Sequence, residues 1–312
     1  MNGSANGFAA LPGKSDDFES PNGSEANLLP RIHGALELVH GPYSSNESRK
    51  EASVFLEEIK SNEEAPYHGF SLANDRSQQA VVRHYALSLL EHAVKRQWQD
   101  YSNDQRETLR GWILQLSENL SSEDPSYLRN KTAQLWVEVA KRSWGSEWNN
   151  MDELLVQLWS VPGSMVHKEF VLVVLETLSD EVFGGDDAAA VLREPTLKKA
   201  LVEIFTPAET LAKAFPDRQI GNDVRFGEDG WLMRLGEFLN ECLDVDLLNN
   251  EQYRVCAIKT LAVFRSVTPW ATSYAVAAAS CVKHMCRSLT TSSVAVQMVS
   301  YVSLMKNARA KV

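Results

Sequence analysis

Two stretches decide the fold: "VVRHYALSLLEHAVKRQWQDYS" at residues 81–102 and "YLRNKTAQLWVEVAKRSWGSEW" at residues 127–148. The first carries the tetrad Lys95-Arg96-Gln97-Trp98, the second Lys141-Arg142-Ser143-Trp144, and the two tryptophans lie 46 residues apart. In the first, Val81, Val82, Tyr85, Leu89, Val94 and Trp98 recur with the helical period. A helix that ends in a basic pair suits the negative end of its own dipole. An interval of this size lies in the range of HEAT and armadillo arrays, in which single helix pairs cannot bury their apolar faces and stacked neighbours supply a shared core. Trp98 and Trp144 are therefore expected as core plugs at repeat junctions.

The same period runs outward in both directions. Helices are expected near 25–39, 48–59, 66–73, 77–98, 104–120, 125–144, 149–159 and 164–183, then near 230–243, 250–267, 270–289 and 293–304. Residues 196–215 contain Pro207 and should form two pieces. Ser48-x-x-Glu51 has the spacing of a capping box. No sustained alternation of period two appears. The expected fold is all-α: a right-handed superhelical solenoid of HEAT-type antiparallel helix pairs over residues 24–298. Residues 1–23, rich in Gly, Ser, Asn and Asp, read as a disordered tail, and residues 299–312 as an atypical or truncated end.

Composition narrows the function. Of the 312 residues, 44% are hydrophobic and 23% charged, close to globular averages. No apolar run reaches the length of a membrane helix and no secretory leader is visible. Cys242, Cys256, Cys281 and Cys286 lie in helical stretches and read as reduced thiols. The net charge is −10, distributed as −15 over residues 1–280 and +5 over residues 281–312. An acidic body suits a basic protein partner better than nucleic acid. Lys95-Arg96, Arg129, Lys131 and Lys141-Arg142 could contact phosphates, but Glu91, Glu138 and Glu147 interleave with them. No catalytic, cofactor-binding or metal-ligating constellation is found. "GNDVRFGEDG" at 221–230 lacks phosphate-loop spacing, and Cys281-x-x-His284-x-Cys286 lacks a fourth ligand nearer than Cys256.

Val82-Arg83-His84, Leu87, Leu90-Glu91-His92, then Lys141-Arg142-Ser143-Trp144 with Trp148, resemble the amino-terminal region of karyopherin-β transport receptors of the exportin-5 class. "FLNECL" at 238–243 and "CAIKTLAVFRSVTPW" at 256–270, ending in Trp270, extend the resemblance. The chain departs from the family's pattern at Gly145, Asn149 and Thr272, where proline is common, and it stops at Val312 while family members continue. It is thus expected to be a fragment or a truncated product.

The resemblance implies a nuclear export receptor that binds the GTP form of Ran together with cargo. Cargo would be protein, with structured RNA or transfer RNA in some members. It also implies contact with nucleoporins, no membrane insertion, a monomeric state, no cofactor and shuttling between nucleus and cytoplasm. Candidate Ran-contacting residues are two stripes opposite the apolar sides of their helices: His84, Ser88, Glu91 and Lys95, and Gln134, Glu138 and Lys141. Trp98, Trp144, Trp148 and Trp270 are expected at repeat junctions. The competing expectation is a HEAT-type scaffold or adaptor without Ran linkage, or a truncated receptor without function.

Overall fold

A computed structural model describes residues 28–185, 188–214, 216 and 230–310. The expected tail at 1–23 and most of the 221–230 loop lie outside the described residues. Within them the chain is all-helical, with sixteen α-helices and one π-helical turn. The only strand-like pairing among the described residues is an isolated bridge between Trp144 and Trp148.

In chain order the helices are α1 (Leu28–His40), α2 (Asn46–Ile59), α3 (Ala65–Asn74), α4 (Ala80–His92), α5 (Asn103–Glu118), α6 (Ser126–Ser143), α7 (Met151–Trp159) and α8 (Met165–Gly184). They continue with α9 (Ala188–Leu192), α10 (Glu194–Phe205), α11 (Ala208–Ala214), α12 (Gly230–Leu243), α13 (Glu251–Val267), α14 (Ser273–Ala278), α15 (Cys281–Ser288) and α16 (Val294–Ala310). Neighbours pack as HEAT-type antiparallel pairs, α1 with α2, α3 with α4, α7 with α8, α12 with α13 and α15 with α16. Pro207 separates α10 from α11, as its missing N–H requires.

Chain contacts divide these helices into two compact units. The first comprises residues up to 119 and 123–135; the second comprises 120–122 and everything from Trp136 onward. In the first, α3 and α4 approach closely at Gly69, where a Cβ would stand 2.9 Å from the Ala86 carbonyl oxygen. Tyr85 of α4 donates its hydroxyl to the Leu56 carbonyl of α2 at 2.8 Å, and Phe70 stacks on Trp112 of α5 with centroids 4.9 Å apart. Asp124, nearly fully buried, ties its loop to α4 and to the α3–α4 turn by accepting from Arg83 at 2.5 Å and Arg76 at 3.3 Å.

The second unit is built around α8. Phe170, Val171, Leu172, Val173, Val174 and Leu175 are all buried, so this helix is apolar on every side and has helices packed around it. α13 is one of them, and Arg265 and Ser266 of α13 reach Glu176 at 3.3 Å and Asp180 at 2.6 Å on α8. Trp136 meets Trp148 and Phe170 at centroid distances of 4.9 and 5.8 Å.

Several local expectations are corrected. The cap of α2 is Ser45, whose hydroxyl accepts from the Ser48 amide at 3.1 Å, rather than Ser48 itself. The capping box is at α5. Ser102 Oγ accepts from the Gln105 amide at 3.2 Å, and Gln105 Oε1 accepts from the Ser102 amide at 2.9 Å. Ser102→Ala is expected to cost about 1 kcal/mol, measurable as a lowered thermal midpoint. The stretch 77–98 does not finish as an α-helix: Ala93–Gln97 form a π-helical turn that delivers Trp98 to the core. The expected helix at 270–289 is broken by Ser280, which adopts φ 51°. α16 runs on to Ala310, through the expected 298/299 boundary.

Candidate partner-binding face

In the first unit, α4 presents one side to the α2–α3 core and carries His84, Ser88 and Glu91 off that side, with Lys95 following in the π turn. Val82, Tyr85, Ala86, Leu89 and Leu90 are buried, while His84, Ser88 and Glu91 are half-buried and Lys95 is exposed. His84 and Ser88 line a cleft of about 510 Å³ that also takes in Leu36 and Val39 of α1, Lys60 at the end of α2 and Tyr127 of α6. Its lining mixes apolar Leu36, Val39, Leu56 and Val81 with polar His40, Ser53, Glu57 and Lys60, a composition suited to receiving a partner's side chains.

His84 and the charged groups beside the cleft are electrically organised. His84 packs edge-on against Tyr127 at 5.5 Å; its burial, followed by the nearby Lys131 charge, lowers its pKa and favours the neutral ring. Glu91 accepts from Lys95 at 2.9 Å and from Lys131 of α6. Burial alone would raise the Glu91 pKa, but the hydrogen bonds and charges of the two lysines outweigh it and lower it, so the carboxylate stays ionised. Gln134 is exposed one turn beyond Lys131.

Tyr127 and Lys131 were absent from the sequence-derived stripe. They continue its register on α6, since 127, 131 and 134 step by four and three residues like 134, 138 and 141. The lysine is therefore a bridge between α6 and α4, and its ammonium is not presented alone to a phosphate.

In the second unit, Glu138 and Lys141 occupy different surroundings from those expected. Lys141 is 0% exposed and Glu138 5%. The Lys141 ammonium lies 2.9 Å from Glu138 and 2.6 Å from Glu181 of α8, and Arg142 donates to the second Glu138 oxygen at 2.7 Å. Burial would lower the Lys141 pKa, but bonds to the two carboxylates raise it. This network holds α6 against α8, so neither residue is displayed as a direct partner contact. Beside it, Arg193 closes the end of α6 by donating to the carbonyls of Lys141 at 3.0 Å and Trp144 at 2.5 Å.

The four tryptophans expected at junctions are all packed. Trp98, Trp144 and Trp148 are buried. Trp270 is half-buried, stacks on Phe183 at 4.2 Å and donates its indole N–H to Ser179 at 2.9 Å. Among the described residues no group of three or more His, Cys, Asp or Glu side chains could hold a metal ion, and no helix is long and apolar enough to cross a membrane. In the Cys281–His284–Cys286 stretch, Cys281 is buried, Cys286 is exposed and His284 Nδ1 is engaged by the Asn240 amide at 2.9 Å.

Comparison with known proteins gives two adjoining family matches. Residues 52–118 match the importin-beta N-terminal domain, and residues 125–214 match the exportin 1-like protein family. The chain is 31% identical to Protein MSN5 of Saccharomyces cerevisiae over 245 residues, 74% of this chain and 20% of that protein. It is 30% identical to Exportin-5 of Dictyostelium discoideum over 190 residues, 60% of this chain and 16% of that protein. Exportin-5 of Homo sapiens is 30% identical over 162 residues, 50% and 13% respectively. The chain thus spans about a fifth or less of the matched relatives' length.

Proposed function

Because the chain belongs to the importin-β superfamily, on its exportin-5-like side, we propose that it acts in nuclear export by binding Ran in its GTP form. The observation that supports the proposal is that His84 and Ser88 line the open cleft of the first unit, with Glu91 and Lys95 following them along the chain inside the importin-beta N-terminal match. Tyr127, Lys131 and Gln134 complete the binding face. Cargo would be protein, or structured or transfer RNA, taken up in a ternary complex in which Ran and cargo raise each other's affinity by the same factor. Passage through the pore would use nucleoporins, with residence in both nucleus and cytoplasm.

Next to the cleft, a partner would meet an ionised carboxylate flanked by two lysines. Its polar complementarity would set specificity and association rate more than total affinity. The test is calorimetry of the purified chain with Ran carrying a non-hydrolysable GTP analogue, against Ran-GDP. Selective binding of the GTP form is expected. Ser88→Arg, which fills the cleft, together with exposed Gln134→Arg, is expected to weaken it about tenfold or more, near 1.4 kcal/mol. Equal affinity for both nucleotide states would remove the Ran linkage. The chain would then be a HEAT-type scaffold, a reading to which the internally neutralised Glu91 is equally suited.

A further inference from the structure

Most polar groups that line the α4 cleft are already engaged within the chain. Ser53 donates to the Arg49 carbonyl at 2.8 Å and Ser88 to the Tyr85 carbonyl at 2.6 Å. The Tyr85 hydroxyl donates to the Leu56 carbonyl at 2.8 Å, and the Lys60 ammonium to Glu57 at 2.6 Å. Three polar lining side chains are left over: the imidazoles of His40 at the end of α1 and His84 on α4, and the phenol of Tyr127 on α6. None of these three has a hydrogen-bond partner among the described residues. What they share is the capacity to donate. A protonated imidazole offers two N–H groups and a phenol one O–H, so an oxygen acceptor is the group they serve best.

The surrounding charges select among acceptors. Two carboxylates lie on or beside the cleft, and both are held by lysines: Glu57 on α2 by Lys60, Glu91 on α4 by Lys95 and by Lys131 of α6. Burial first, then the Lys131 charge and, more weakly, His40, hold the His84 pKa below its ordinary 6.5, against the pull of Glu91. An anion placed among these groups reverses that balance, because a nearby negative charge favours the protonated ring; a neutral acceptor does so far less. Leu36, Val39, Leu56 and Val81 line the rest and match the methylene stem of an amino-acid side chain rather than a free phosphate ion.

On the reading of this face as a Ran site, we propose that the cleft receives an acidic side chain of the partner protein, its carboxylate accepting from His40, His84 and Tyr127, and that this contact tightens binding as pH falls. The chain as a whole carries a net charge of −10, so a partner with one protruding carboxylate on a basic surface is steered by the body and held in register by the cleft. The sign follows from linkage. The carboxylate raises the ring pKa in the complex, so affinity climbs as pH falls between the bound and the free values and levels off below the free one.

The test is calorimetry of the full chain with Ran carrying the non-hydrolysable GTP analogue at pH 6, 7 and 8, each in two buffers of different ionisation enthalpy. The buffer dependence counts the protons taken up on binding and needs no variant. Net uptake of about half a proton per complex at pH 7, and an affinity about tenfold higher at pH 6 than at pH 8, are expected. His40→Gln with His84→Gln should remove most of both effects. Tyr127→Phe should weaken binding about threefold and leave the proton count as it was. Histidine-selective labelling locates the uptake in the parent chain: the His84 ring resonance should titrate at higher pH in the complex than in the free chain, which decides the matter even if the double variant fails to fold. Selective binding of the GTP form without proton uptake, with uptake that the double variant keeps, or with an unmoved His84 titration would overturn the carboxylate contact and leave the Ran reading standing. Absence of selective binding would overturn both.

Discussion

Lys141→Met is expected to destabilise the second unit by about 3 kcal/mol, the low end of the cost of removing one partner from a buried ion pair. The methionine matches the lysine stem in length, so little packing is lost. What remains is the electrostatic damage. Glu138 keeps Arg142, but its Oε1 loses the bond from the Lys141 ammonium while 5% exposed. Glu181, with its side chain one-third exposed, can turn towards water, which places the cost at the low end. Glu138→Gln combined with Lys141→Met should cost less than the two singles added together, since the second change removes a charge the first has stranded. Native-state amide exchange in α6 and α8 measures this without assuming that the whole chain unfolds in one step. A loss below about 0.5 kcal/mol, the range of an exposed pair, would mean that the network is solvated. The Lys141 pKa is raised, so its contribution is complete below its unfolded value of 10.5 and is lost only as pH climbs through the folded value above that.

Asp152→Asn is expected to act in the opposite sense, stabilising the chain at neutral pH. Asp152 stands in the first turn of α7, 1% exposed, and its Oδ2 has no hydrogen-bond partner. Burial pushes its pKa up to about 6 from 3.8, although the amides of Asp152 and Glu153 pull it part of the way back. A raised carboxyl favours the folded state fully below the unfolded pKa, and that advantage fades as pH rises through the folded one. The difference corresponds to at most about 3 kcal/mol. The asparagine carries no charge to desolvate, so its gain over the parent should be about 1 to 3 kcal/mol at pH 7 and shrink towards zero near pH 4. Glu91, whose pKa is lowered, runs the other way and loses its contribution as pH falls. For that reason the difference between variant and parent, measured by urea unfolding at each pH, is the informative quantity. A variant less stable than the parent at pH 7, with a gap independent of pH, would show that Asp152 is ionised and compensated.

Much of this fold was legible because its helices are long and their apolar residues keep one period. The segments around α4, α6, α8 and α13 were located within a few residues. What escaped is physically local or physically remote. The π turn at Ala93–Gln97 and the left-handed Ser280 each shift one turn of backbone without disturbing composition. The burial of Lys141 is the remote case. The Lys-Arg-x-Trp tetrads look equivalent in sequence, yet Lys95 is exposed beside Trp98 and Lys141 is sealed beneath Glu181, forty residues further on. Periodicity identifies a face; it does not identify what covers that face. The candidate site divides for the same reason: the α4 stripe was legible as a stripe, whereas half of its continuation on α6 had an internal partner waiting.

The uneven placement of the tryptophans gives the molecule a built-in optical asymmetry. Trp98 and Trp112 belong to the first unit, while Trp136, Trp144, Trp148, Trp159, Trp231 and Trp270 belong to the second. Intrinsic indole emission during denaturation therefore reports chiefly on the helices around α8. None of the eight indoles lines the α4 cleft, whose lining includes Tyr85 and Tyr127. A ligand could fill that cleft and leave the tryptophan spectrum almost unchanged, so a silent fluorescence titration is no sign of an empty one.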